Sequence, residues 1–275
     1  MLQKALLTIA LFFSVSAAQG SFIAFEVAGG SLADIIATRD AFRTAVGGGT
    51  VGGANGSFGG VRREINWDGV PTGFADPNVL PANFFNVNSP RGVVFNTPGT
   101  GFMVSANGTG STPALFGFSG DFQVFSAPRL FTAIGSSITD INFFVPGTSS
   151  AATTSAFGLI FVDVDVADLT KLEFFDQSNA LIFSRNAFVS GTAGLTFLGG
   201  VANAGEQISR VRITSGQNTL SSNGALGNLT GDMVVMDDFL YAEPIVVQRV
   251  PEPPTFLLLS LGFLAVLTRR RSRVG

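Results

Sequence analysis

The chain has 275 residues, with 16 Lys plus Arg against 19 Asp plus Glu for a formal charge of −3, and it carries 28 Phe but a single Trp and a single Tyr. It contains neither His nor Cys. That excludes Ser-His-Asp and Cys-His catalysis, His-ligated zinc and haem, and any disulfide framework, so core burial must hold the fold and any metal site must be built from oxygen ligands.

At the N-terminus, Lys4 precedes a mostly apolar stretch from Ala5 to Val15, and Ser16-Ala17-Ala18 supplies small residues for signal peptidase. Residues 1–18 therefore read as a cleavable signal peptide, with the cut after Ala18, a competing site at Ala17, and a retained N-terminal anchor as the alternative. Next, Ser31 with Asp34 forms the pattern of a capping box, Leu32, Ile35, Ile36 and Phe42 give a rough apolar face, and Gly47-Gly48-Gly49 ends it. This spacing predicts one helix over 32–46. The Gly-rich run from Gly47 to Gly60 follows that helix and lacks a Lys-Ser/Thr ending, so it reads as a mobile or turn-rich loop rather than a phosphate cradle. Beyond it, Trp67 sits among charged residues before an Asp68-Gly69 turn.

Most of the remaining chain reads as short strands separated by Gly, Pro, Asn and Ser: 91–96, 101–106, 122–126 and 138–145, then 195–198, 208–214 and 233–241. Lys171 to Asp176 and Ala180 to Arg185 read as a hairpin around Gln177-Ser178-Asn179. In Phe157 to Val166 a period of two puts Phe157, Leu159, Phe161, Asp163 and Asp165 on one face and Ile160, Val162, Val164 and Val166 on the other. Both faces are apolar until the two Asp, which predicts a central strand emerging at the edge of the core. One helix among many strands predicts an all-β fold, an antiparallel β-sandwich of jelly-roll type spanning 19–248, with two domains split near Gly110 as the alternative.

The chain end, residues 249–275, departs from this pattern. Pro251-Glu252-Pro253 precedes an apolar run from Phe256 to Leu267 and then the basic stop Arg269, Arg270 and Arg271. In that order these features resemble the PEP-CTERM sorting tail of Gram-negative bacterial surface proteins. The resemblance implies recognition by an exosortase-type membrane enzyme that cuts near the Pro-Glu-Pro, association with the inner membrane before processing, and delivery to the cell surface or extracellular matrix afterwards. The apolar run of about 12 residues would make roughly 18 Å of helix, short of the roughly 30 Å hydrocarbon core, so as a transmembrane helix it suits transient use better than permanent anchoring. The Arg cluster would stay on the cytoplasmic side.

Without Lys4, Glu252, Arg269, Arg270, Arg271 and Arg273, 11 basic residues remain against 18 acidic ones, a charge of about −7 that argues against a nucleic-acid partner. Several blocks of the body, among them Arg62 to Gly69, Ser89 to Val93, Thr97 to Phe102, Phe161 to Asp165 and Met236 to Phe239, resemble a family of exported bacterial proteins to which no reaction or ligand is attached. That resemblance implies export and a shared fold.

Chemistry then rests on carboxylates. Asp163 and Asp165, two apart on a strand, would place their Cβ atoms about 7 Å apart on one face, near enough to share a hard cation, and Asp237 with Asp238 could complete the set. Calcium is the cofactor this implies, with Asp168 as a further candidate; the same Asp could instead cap strands, form Asx turns or accept from Arg210 and Arg212. Three functions follow: a non-enzymatic surface or matrix protein, with exopolysaccharide as a candidate associate; a calcium-dependent carbohydrate-binding module; or a polysaccharide hydrolase using two Asp. The first is the leading expectation, with no catalytic residues.

Overall fold

The computed structural model describes residues 21–221 and 231–247; the expected signal peptide and sorting tail lie outside the described residues. In chain order come β1 (Phe22–Gly29), α1 (Leu32–Val46), β2 (Ser57–Phe58), β3 (Arg62–Ile65), the single turn α2 (Phe84–Val87), β4 (Val93–Asn96) and β5 (Gly101–Val104). They are followed by β6 (Phe131–Ile134), β7 (Ile138–Phe143), β8 (Ala152–Thr153), β9 (Ala156–Val162), β10 (Lys171–Phe175) and β11 (Leu181–Asn186). The last are β12 (Leu195–Ala202), β13 (Arg210–Thr214), β14 (Val235–Ala242) and β15 (Ile245–Val246).

Two antiparallel sheets make a β-sandwich. One runs β1-β12-β9-β14-β3-β2, with β6 joined to β14 and to β5; the other runs β11-β10-β13-β7-β4, and β15 pairs with β8 in a small ribbon. Because β4 pairs with β7 and β3 with β14, strands from before and after Gly110 interleave in both sheets. The described residues do not divide there.

The apolar character of β9 on both sides has a direct cause: its sheet is covered twice. Phe157, Leu159 and Phe161 point into the core between the sheets, where Phe143, Phe174 and Ile213 of the facing sheet meet them. Ile160 and Val162 point the other way, into a second cluster with Ile35 and Phe42 of α1 and with Phe122 and Phe125. Gly158 and Gly199 lie opposite each other on β9 and β12, and the space they leave admits the Phe42 ring. A Cβ on Gly199 would stand 2.9 Å from Phe42 Cε2.

Helix α1 has the expected ends. The Asp34 carboxylate accepts from Ser31 N and Oγ at 2.9 and 2.8 Å, and Gly47, at φ 91°, donates its N–H to the Arg43 carbonyl. Its buried face is narrower than the sequence suggests, because Ile35, Arg39 and Phe42 are covered whereas Leu32 and Ile36 remain exposed. The hairpin β10–β11 also forms as expected. The Asp176 carboxylate organises its turn by accepting from Ser178 N and Ala180 N at 2.8 and 2.9 Å.

The Gly-rich segment after α1 is the turn-rich loop expected, with positive φ at Gly47, Gly48, Gly49, Gly56, Gly59 and Gly60; it holds the two-residue β2 and is pinned by the buried Arg62, whose guanidinium donates to the carbonyls of Gly47 and Gly49. Two expectations are corrected. Residues 122–126 form no strand: Phe125 N and Ser126 N donate to the Asp237 carboxylate, at 2.6 and 3.2 Å, instead of to a neighbouring strand. And β9 ends at Val162, since Asp163 takes φ 71° and turns the chain. Asp163 and Asp165 therefore do not share a strand face.

Candidate functional site

Asp163 and Asp165 still come together, through that turn. Beside them stands Asp232, from the segment leading into β14, so that one carboxylate oxygen from each of the three lies within 4.8 Å of the others. The sheet register explains the meeting. Val162 pairs with Val235 in the antiparallel β9–β14 ladder, so residues just after β9 face those just before β14. The carboxylates line an open pocket of about 180 Å³ whose wall also includes Asp121, Phe122 and Met233.

Backbone and hydroxyl donors hold the three acids in place. Ala193 N donates to Asp163 Oδ1 at 2.7 Å, Val166 N to Asp232 Oδ2 at 3.2 Å, and Thr192 Oγ1 to Asp165 Oδ2 at 3.4 Å. Asp163 and Asp232 are buried and Asp165 is exposed. Burial pushes the Asp163 carboxyl up to about 7, against the Ala193 N–H and with help from the neighbouring Asp165, Asp232 and Asp121 charges. Burial raises Asp232 likewise. Among the described residues no Arg or Lys lines the pocket, so negative charge there has no counter-ion from them at the wall.

Asp237 and Asp238 do not join this group. The β9–β14 ladder shifts register between Met236 and Phe239, opposite Phe161 and Leu159, so both Asp occupy a bulge about three residues up the ladder, roughly 10 Å at about 3.3 Å per residue. There Asp237 accepts from the backbone of Phe125 and Ser126, and Ser126 Oγ donates to Asp238 Oδ1 at 2.8 Å. Burial and the adjacent Asp238 charge hold the Asp237 carboxyl well above the usual range, and burial raises Asp238. This is a structural knot that ties the 115–126 segment over the sheet. Asp168 is also elsewhere, accepting from Asn186 Nδ2 at 2.7 Å. The acceptor for Arg210 and Arg212 is Asp140, at 2.9 and 2.8 Å, which they hold below the usual carboxylate range against the effect of its burial.

The one Trp and the one Tyr that could have served as sugar platforms are core residues. Trp67 is 1% exposed and lies parallel to Phe131 at 4.0 Å between ring centroids, with its Nε1–H donated to the Asp237 carbonyl at 2.9 Å. Tyr241 is fully buried, its hydroxyl donating to the Arg91 carbonyl at 2.9 Å.

Pro251, Glu252, Pro253 and the cluster Arg269 to Arg271 lie outside the described residues, so their assignment rests on sequence comparison. Residues 249–271 match the family described as the PEP-CTERM protein-sorting motif. The chain carries a PEP-CTERM tail. That motif implies processing by exosortase, export, and membrane-associated sorting before processing. Among the described residues no helix is long and apolar enough to cross a membrane. No curated protein matches the chain. Among solved structures, the GH26-CBM35 β-(1,4)-mannanase of Podospora anserina is similar over 60% of this chain and 29% of its own, at 16% identity and a TM-score of 0.26. The chain thus spans less than a third of that enzyme's length, at a similarity too low to compare sites.

Proposed function

We propose that the chain is a non-enzymatic protein of the cell surface or extracellular matrix, exported through an N-terminal signal that signal peptidase removes and then released to its destination through its PEP-CTERM tail. The observation that carries this reading is the motif match over 249–271, which sets Pro251-Glu252-Pro253, the apolar run and the Arg stop in the order a sorting enzyme reads. The body suits such a role. Its strands are closed into a sandwich with a large Phe-rich core, and the acidic excess left after removal of both ends favours a dispersed exported domain.

The hydrolase and carbohydrate-module readings have less support. Trp67 and Tyr241 are both buried, so neither ring offers the exposed aromatic face on which a sugar stacks. The test is fractionation of cells expressing the chain with Pro251→Ala and Glu252→Ala together. Accumulation of unprocessed protein in the membrane fraction is expected. Unchanged processing and delivery would overturn the reading.

A further inference from the structure

The acidic pocket at the end of β9 has a feature that distinguishes it from an ordinary cluster of surface carboxylates. Asp232 is 8% exposed and offers Oδ2 to Val166 N, and the Asp165 backbone N–H also acts on this carboxylate, but Oδ1 is buried and makes no hydrogen bond among the described residues. A buried carboxylate oxygen without a donor is costly, because it has lost water and gained nothing in exchange. A bound cation removes that deficit. We propose that Asp163, Asp165 and Asp232 bind a divalent cation of the calcium class, with Asp121 at the pocket wall as an outer carboxylate.

The spacing agrees with this assignment. Two oxygens on opposite sides of a calcium ion, each at about 2.3 to 2.6 Å, stand about 4.6 to 5.2 Å apart, and the three carboxylate oxygens lie within 4.8 Å of one another. Three carboxylates offer up to six oxygens, and the pocket is open enough for water to complete a shell of six to eight. Magnesium is the poorer fit, because it demands a near-ideal octahedron at about 2.0 to 2.1 Å and gives up its water reluctantly. The all-oxygen set, in a chain without His or Cys, does not favour softer metals. The three ligands come from the turn after β9 and the entry to β14, while Ala193 N and Thr192 Oγ1 tie the turn before β12 to the same carboxylates. The cation would therefore clamp the ends of three adjacent strands. This inference is independent of the sorting reading, since binding in solution does not depend on what happens to the tail.

The experiment uses the full chain in mild detergent, stripped with EGTA and titrated with CaCl₂ or MgCl₂ by calorimetry and by thermal unfolding. One equivalent of calcium should bind with a saturable rise in Tm, and magnesium should require at least tenfold higher concentration. Asp232→Asn should weaken calcium binding at least tenfold, yet in EGTA it should melt no lower than the wild type, since it removes a buried charge. Asp165→Asn, at the exposed ligand, provides a variant whose folding is not at stake, and it too should bind at least tenfold more weakly. Absence of heat and of any Tm change with the wild-type chain would overturn the proposal. So would wild-type calcium affinity in Asp165→Asn.

Discussion

Replacing Trp67 separates a core anchor from a binding platform. The ring is stacked on Phe131, meets Phe239 edge-on at 5.0 Å and Phe85 at 5.4 Å, and holds the Asp237 carbonyl through Nε1. Truncation to Ala should cost about 3 to 5 kcal/mol for the lost burial and the cavity. The orphaned Asp237 carbonyl adds about 1 to 3 kcal/mol. The residue has φ 65°, a left-handed conformation that Ala also dislikes, so no relief of strain offsets the loss. The sum, about 4 to 8 kcal/mol, is a large part of the roughly 5 to 15 kcal/mol that holds a domain together. Trp67→Phe keeps a ring against Phe131 and mainly loses the hydrogen bond, so about 1 to 3 kcal/mol is expected. Urea unfolding followed by far-ultraviolet circular dichroism, compared at equal slope, measures both. A Trp67→Ala unfolding free energy within about 1 kcal/mol of the wild type would refute the core role, and loss of glycan binding with the fold intact would make the ring a platform after all.

Two further outcomes follow from the packing and the charges. Gly199→Ala should destabilise by about 1 to 3 kcal/mol, because its Cβ would meet Phe42 on one side and the Gly158 backbone on the other, and adding Phe42→Leu should recover part of that loss in the same unfolding assay. The Asp68 carboxyl is raised to about 6, first by burial, so its neutral form is the one the fold favours. The stability it contributes is present below the unfolded value of about 3.9, declines as pH rises to about 6 and is flat above. Asp68→Asn should flatten that part of the Tm–pH profile, and an unaltered profile would show that Asp68 titrates normally.

Features carried by local pattern were legible in the sequence. The cap at Ser31 and Asp34, the Gly47 stop, the turn at Asp176 and the two apolar faces of β9 depend on residues within a few positions of each other, and all appear in the fold. What stayed hidden depends on distant partners. β3 reads as charged because it is: Arg62 pairs with Glu64, which also holds Arg43 of α1, and Arg63 pairs with Glu243, 180 residues away. β6, with four buried residues and no polar alternation, shows no period of two, and β1, half-buried along nearly its whole length, shows none either.

The acidic site was half visible for the same reason. Asp163 and Asp165 stand out at the end of an apolar strand, but the sequence pointed to Asp237 and Asp238 as their partners, whereas the register of β14 on β9 brings Asp232. Gly231-Asp232 just ahead of an apolar run was the available signal. Only the pairing of Val162 with Val235 turns it into a neighbour.

The central claim is that a β-sandwich leaves the cell and sheds both its ends on the way. Intact-mass spectrometry of the protein recovered from the cell surface or medium tests it most directly. The account predicts an N-terminus at Gln19, a C-terminus near Pro251 to Pro253, and a mass correspondingly below the 28.6 kDa of the whole chain. Recovery of the full-length mass, with Arg269 to Arg271 still attached and the protein confined to the cytoplasm, would contradict it.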